Sequence, residues 1–214
     1  MTKLVMFDMD GTLVDSRADL TMALNRMLAD DGLLPLTVEE TAALLGDGRH
    51  VFVRKALDQR GGQHVEIEDA VERMGRYYDQ SMVEQTALYP GMDMVLARLK
   101  DAGVKIGVIT NKQHPAAQVI VRELGLLDTV DLTVGDDGVT PLKPAPDMLQ
   151  NMMSNFGVSP DECWMIGDNH TDIGAAKNAG VFSCFCDYGF GVLDGVVPDA
   201  RVATAAEILK VVLG

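Results

Sequence analysis

The sequence predicts an α/β fold, a parallel sheet covered on both faces by helices and interrupted after its first strand by a helical block. Three observations predict it. Short apolar runs bounded by polar or glycine residues alternate with longer segments of helical period, the rhythm of βαβ units. The first such run, Leu4 to Phe7, passes directly into Asp8 and Asp10. From about Arg17 to Thr86 helical patterns continue with no convincing strand between them.

Taken in order, Leu4 to Phe7 is four apolar residues in succession, as expected of a strand buried on both faces. In "RADLTMALNRMLADDG", Leu20, Leu24, Met27 and Leu28 recur at helical spacing and the pattern stops at Gly32. Glu66 to Met82 repeats the habit through Ile67, Ala70, Val71, Met74 and Tyr78. The motif "LYPGM", residues 88 to 92, marks a Pro-Gly turn back to the α/β part. Helices are then expected over Met92 to Ala102 and Pro115 to Leu124, and strands over Lys105 to Ile109, Val130 to Val134, Trp164 to Ile166 and Val181 to Phe185. The expected division is an α/β core of residues 1–16 and 87–214 and a lid-like helical domain of residues 17–86.

Composition bounds the function. The 214 residues are 47% hydrophobic and 23% charged, which suits a folded globular chain. A net charge of -14 argues against a nucleic-acid partner, since phosphate backbones are held by clustered Lys and Arg. No apolar run approaches a membrane span, and the short N-terminal tetrad is no signal-peptide core, so a cytoplasmic protein is expected. Cys163, Cys184 and Cys186 lie in apolar surroundings and are read as buried reduced thiols.

Open parallel sheets place ligand sites beyond the C-terminal ends of their strands. There the sequence carries Asp8-Met9-Asp10-Gly11-Thr12 after the first strand and Thr110-Asn111 after the second. Lys143 in "GDDGVTPLKPAPD" follows the third, and Gly167-Asp168 with Asp172 the fourth. Like charges as close as Asp8 and Asp10 need a cation or a raised pKa. Together these groups meet the needs of phosphoryl transfer through a covalent intermediate. Asp8, rigidly aimed by a buried strand, is the expected nucleophile, and Asp10, beyond a turn that Gly11 permits, the acid and base. Asp8, Asp168 and the Asp10 backbone carbonyl form an oxygen set suited to Mg²⁺. Thr110, Asn111 and Lys143 are expected to hold the phosphoryl group.

These four motifs resemble those of haloacid dehalogenase-superfamily phosphatases, in the phosphoglycolate phosphatase-like branch, and the likeness spans essentially the whole chain. The resemblance implies a doubly wound, Rossmann-like core, a helical cap inserted after the first motif, Mg²⁺ and an aspartyl-phosphate on Asp8. It implies that Asp172 supports the site, often by orienting Lys143, with Gly11 and Thr12 completing the first motif. Ser16, Asp19 and the segment "LLGDGRHVFVRKAL" resemble the substrate-specificity region of phosphoglycolate phosphatases, with Gly46, Asp47, Gly48 and Arg49 at its turn. Gly48 and Arg49 are therefore candidate substrate contacts, Arg49 for a second anionic group. His170 is less typical and is read as an exposed loop residue.

Asp10 disfavours dehalogenation, because a halide leaves without a proton. It also argues against phosphonate hydrolysis through a cap lysine, for which Lys55 is the only candidate in the insertion. The expected activity is Mg²⁺-dependent hydrolysis of a small phosphorylated metabolite, foremost 2-phosphoglycolate, by a monomer or homodimer. The alternatives are a hexose-phosphate mutase, a nucleotide or pyrophosphate phosphatase, or a non-catalytic phosphate-ligand-binding protein.

Overall fold

The computed structural model describes residues 1–214. The chain runs β1 (Leu4–Phe7), β2 (Val14–Asp15), then four helices, α1 (Arg17–Asp30), α2 (Val38–Ala42), α3 (Arg49–Gln59) and α4 (Ile67–Asp79), before β3 (Ala87–Leu88). It continues through α5 (Met92–Asp101), β4 (Lys105–Gln113), α6 (His114–Glu123), β5 (Leu132–Asp136), α7 (Asp147–Phe156) and β6 (Cys163–Gly167). It closes with α8 (His170–Ala179), β7 (Phe182–Cys186), β8 (Ala200–Val202) and α9 (Ile208–Leu213). No helix is long and apolar enough to cross a membrane.

The six-stranded sheet has the order β5-β4-β1-β6-β7-β8, every pair parallel. β1 sits in the middle, and all four of its residues are buried. Its side chains alternate between two cores: Val5 and Phe7 join one, Leu4 and Met6 the other. The apolar run is unbroken because both faces are covered. Winding proceeds from β1 outward to β5, then jumps back across β1 to β6, so the reversal of direction flanks β1. A crevice opens beyond the strand ends at such a reversal.

Helices α1 to α4 lie between β2 and β3, which pair antiparallel. The sequence does not announce these two-residue strands, since so short a run has no periodicity to read. They bring the entry and exit of the insertion side by side. Asp19, fully buried at the start of α1, clamps the exit: its carboxylate accepts from Thr86 N at 2.8 Å, Thr86 Oγ1 at 2.7 Å and Gln85 N at 3.0 Å. A buried carboxylate is stable only with such donors. The insertion also shares its apolar interior with the sheet, since Leu24, Phe52, Met74 and Tyr78 belong to the same 39-residue cluster as Phe7 and Val95.

Two expectations need correction. The second sheet strand does not stop at Ile109 but continues to Gln113, with a register irregularity against β5 after Ile109. Thr110, Asn111 and Lys112 therefore lie on its irregular end, and Gln113 stands at the N-cap position of the following helix without a side-chain capping bond. His170 is no exposed loop residue; it opens α8, is about one-third exposed, and has a buried Nδ1 without a partner.

Candidate active site

Each strand end delivers its chemistry to the crevice through a different local device. After β1 the chain turns at Gly11, where φ is +93° and a Cβ would overlap the Asp168 carboxylate; only glycine allows that approach. After β6, Asn169 caps α8 through a reciprocal box in which Asp172 Oδ2 accepts from Asn169 N at 3.0 Å. That capping box holds Asp172 rigid, 1% exposed, and aims its second oxygen inward.

Lys143 is the centre of the arrangement. Its ammonium donates to Asp8 Oδ1 at 2.6 Å, Asp172 Oδ1 at 2.6 Å and the Ile109 carbonyl at 2.7 Å, with its side chain 1% exposed. Burial opposes the charge, but the Asp172 and Asp8 carboxylates outweigh it and hold the group above the usual lysine range. All three N–H donors are used. Contact with a phosphoryl oxygen would require one of these bonds to be exchanged, so Lys143 acts here as a fixed positive charge beside Asp8.

Burial, reinforced by Asp172 and Asp168, pushes the Asp8 carboxyl well above the ordinary range despite Lys143. Burial and Asp172 likewise push Asp168 up to about 7. Asp168 is held by Phe190 N at 2.9 Å and Gly191 N at 2.8 Å on Oδ2, with Thr12 Oγ1 3.4 Å from Oδ1. Asp8, Asp168 and Asp172 can each offer an oxygen within 4.8 Å of the others. Three buried carboxylates against one lysine leave negative charge that a cation would offset, and hard oxygen donors fit Mg²⁺. Both oxygens of Asp172 are engaged, by Lys143 and by Asn169 N, whereas Asp8 Oδ2 has no protein donor and Asp168 Oδ1 meets only Thr12 Oγ1 at 3.4 Å, so these two oxygens are the side-chain atoms most open to an ion.

Asp10 lies at the cavity wall, its Oδ1 accepting from Ser16 Oγ and its Oδ2 3.1 Å from Lys112 Nζ. Thr110 and Asn111 also line the cavity. The Asn111 amide is committed to backbone: Nδ2 donates to Gly46 O and Lys143 O, each at 2.9 Å, and Oδ1 accepts from Lys143 N at 2.9 Å. It ties the Lys143 loop and the insertion to β4, so it is a clip rather than a free donor for phosphate.

The insertion roofs the crevice with Gly48, Arg49, Phe52, Met74 and Tyr78. Gly48, at φ +86°, caps α3 in a conformation that other residues rarely adopt, and a Cβ there would press on Leu142. Arg49 follows it. Burial holds its pKa below the usual arginine range, and its guanidinium makes no ion pair or hydrogen bond within the protein. Space for it comes from α4, where any side chain at Gly75 would collide with it. Ser16 and Asp19 do not line the cavity, so the structure gives them supporting tasks rather than substrate contact: Ser16 holds Asp10 and Asp19 holds the exit of the insertion. Lys55 is bound to Asp47 at 2.7 Å, half-exposed and outside the cavity, which removes the Schiff-base reading.

Lys112, Tyr78 and the backbone of Phe190 and Gly191 are site residues that sequence reasoning missed. A signal existed for one of them: Lys112 directly follows Thr110-Asn111 at the end of β4, and the irregular strand end turns consecutive residues into the cavity. The others come from distant segments and have no local mark.

A family model described as haloacid dehalogenase-like hydrolase matches residues 5–186. A phosphoglycolate phosphatase of Rhodospirillum rubrum is 36% identical over 196 residues, covering 89% of this chain and 81% of its own. One from Yersinia pseudotuberculosis is 32% identical, covering 97% and 92%. Among solved structures, a putative phosphoglycolate phosphatase of Lactobacillus delbrueckii superposes with a TM-score of 0.89 at 31% identity over 100% of both chains. A predicted one from Haemophilus somnus superposes with a TM-score of 0.92 at 28% identity over 98% of this chain and 97% of that one. Fold, strand-end chemistry and relatives agree, and the chain belongs to the haloacid dehalogenase-like hydrolases.

Proposed function

We propose that this hydrolase is a Mg²⁺-dependent phosphatase of a small phosphorylated acid, with 2-phosphoglycolate the foremost substrate. The observation that carries the reading is that one cavity is lined both by a buried Asp8–Lys143 contact and by an unpaired Arg49 contributed by the insertion. Phosphate and carboxylate would each have a cation. The relatives named above as phosphoglycolate phosphatases support the same choice.

In the first step an Asp8 carboxylate oxygen attacks phosphorus, the ester P–O bond breaks, and the departing oxygen keeps the electron pair and takes a proton from Asp10. In the second, water attacks the phosphorus of the aspartyl-phosphate and gives a proton to Asp10; the bond to Asp8 breaks and its carboxylate is restored. Lys143 neutralises Asp8 between turnovers, and Asp172 orients Lys143. Asp8, Asp168 and the Asp10 carbonyl would hold Mg²⁺, which supplies charge stabilisation to the phosphoryl oxygens. The insertion roofs the site with Phe52, Met74 and Tyr78, apolar surface that would limit the entry of bulk water.

The direct test is release of inorganic phosphate from a panel of phosphorylated metabolites with Mg²⁺, scored also for phosphoryl transfer to sugar. Preference for a hexose phosphate or nucleotide, or no turnover at all, would overturn the assignment. Asp168→Ala should weaken Mg²⁺ binding by about 100-fold, far more than Asp10→Ala, which leaves its backbone oxygen in place. Titration calorimetry reads both, and equal losses would mean a different ligand set. Arg49→Ala should lower kcat/KM for 2-phosphoglycolate by ~10–100-fold, the loss of one charged hydrogen bond. p-Nitrophenyl phosphate, which has no carboxylate, should be much less affected; equal effects on the two would remove Arg49 from carboxylate recognition.

A further inference from the structure

Lys112 has no role in the steps above, yet it is among the most confined charged groups in the molecule. Its side chain is 7% exposed, and its ammonium lies 3.1 Å from Asp10 Oδ2, 3.0 Å from Tyr78 Oη and 4.5 Å from the centre of the Tyr78 ring. Burial opposes its charge, but Asp10 and Tyr78 more than offset that and keep it protonated. Tyr78 is itself 2% exposed and fixed in the apolar core. The other oxygen of Asp10 accepts from Ser16 Oγ. Both carboxylate oxygens are therefore held, from opposite sides, by groups anchored in different elements.

We propose that Lys112, located by Tyr78, is a positioning residue that orients the Asp10 carboxylate for proton transfer in both half-reactions. The inference rests on Asp10 being the acid and base. A carboxylate tied by Ser16 alone can swing about its side-chain torsions; a second tie to a buried ammonium removes that freedom. Proton transfer falls off steeply when donor and acceptor leave hydrogen-bond reach. In the second half-reaction a misplaced Asp10 no longer receives the proton of the attacking water, and the aspartyl-phosphate persists.

p-Nitrophenolate leaves without needing a proton, so with p-nitrophenyl phosphate only the second half-reaction depends on Asp10. In rapid-mixing experiments on the full chain with Mg²⁺, Lys112→Met should give a burst of nitrophenolate approaching one per active site. Acid quenching should trap phosphorylated Asp8, and kcat should fall about 10–100-fold with KM falling in parallel, less than the ~10²–10⁴-fold of a general acid–base group because Asp10 itself stays in place. Tyr78→Phe removes only the hydroxyl and should show the same signature more weakly; it decides the matter if Lys112→Met does not fold. Asp10→Ala separates the two layers of argument. If it shows no burst and no trapped phosphoenzyme, the assignment of Asp10 fails. If it shows both while the Lys112 and Tyr78 variants show neither, the positioning role alone fails. A raised KM without a burst in Lys112→Met would also overturn it, because that is the mark of direct substrate binding.

Discussion

Asp8→Asn should fold normally and lose roughly four orders of magnitude or more in turnover, the largest effect expected of any single change here. An amide is a poor nucleophile, so neither attack on phosphorus nor an acyl-phosphate can follow. The fold should tolerate it, because Asn Oδ1 can still accept from Lys143 where Asp8 Oδ1 does now. Circular dichroism and a melting curve check the fold, and mass spectrometry of acid-quenched wild type should find a phosphate on Asp8 that the variant lacks. Near-normal turnover would remove Asp8 from its role.

Lys143→Met should be damaging in two separable ways. Removing the ammonium leaves Asp8 and Asp172 facing each other without their shared cation, Asp172 at 1% side-chain exposure. Breaking a buried pair in this manner costs about 3–5 kcal/mol. For a chain of this size the melting temperature should fall on the order of 10 °C. Turnover should fall by ~10²–10³ in the fraction that remains folded, since fixed positive charge next to the reacting group is gone. Lys143→Arg should rescue little, because a planar guanidinium cannot direct three donors to Asp8, Asp172 and the Ile109 carbonyl together. An unchanged melting temperature would show that the contacts carry no net stability.

Much of the site was legible because the chemistry stands at strand ends. Asp8 follows an apolar tetrad, and Asp168 follows another short apolar run, so topology alone sends both to one edge of the sheet. Lys143 was legible as a charge between prolines expected to hold the phosphoryl group, with its tie to Asp172 implied by the resemblance; that all three of its donors go to protein acceptors was not. Asn111 read as a phosphate donor until its amide proved to be taken up by Gly46 and Lys143. Arg49 could be placed at a turn from its neighbours, but its room in the cavity depends on Gly75, on another helix.

The sequence by itself determined the α/β class, the helical insertion and the core motifs, because these are written in local periodicity and in what terminates each apolar run. It did not determine the pairing of β2 with β3, the Asp19 clamp 67 residues from Thr86, or the contact of Lys112 with Tyr78, 34 residues away. Those are decided by tertiary structure. A buried polar atom must find a partner, and which segment supplies it depends on how helices and strands pack, not on which residues adjoin it in the chain.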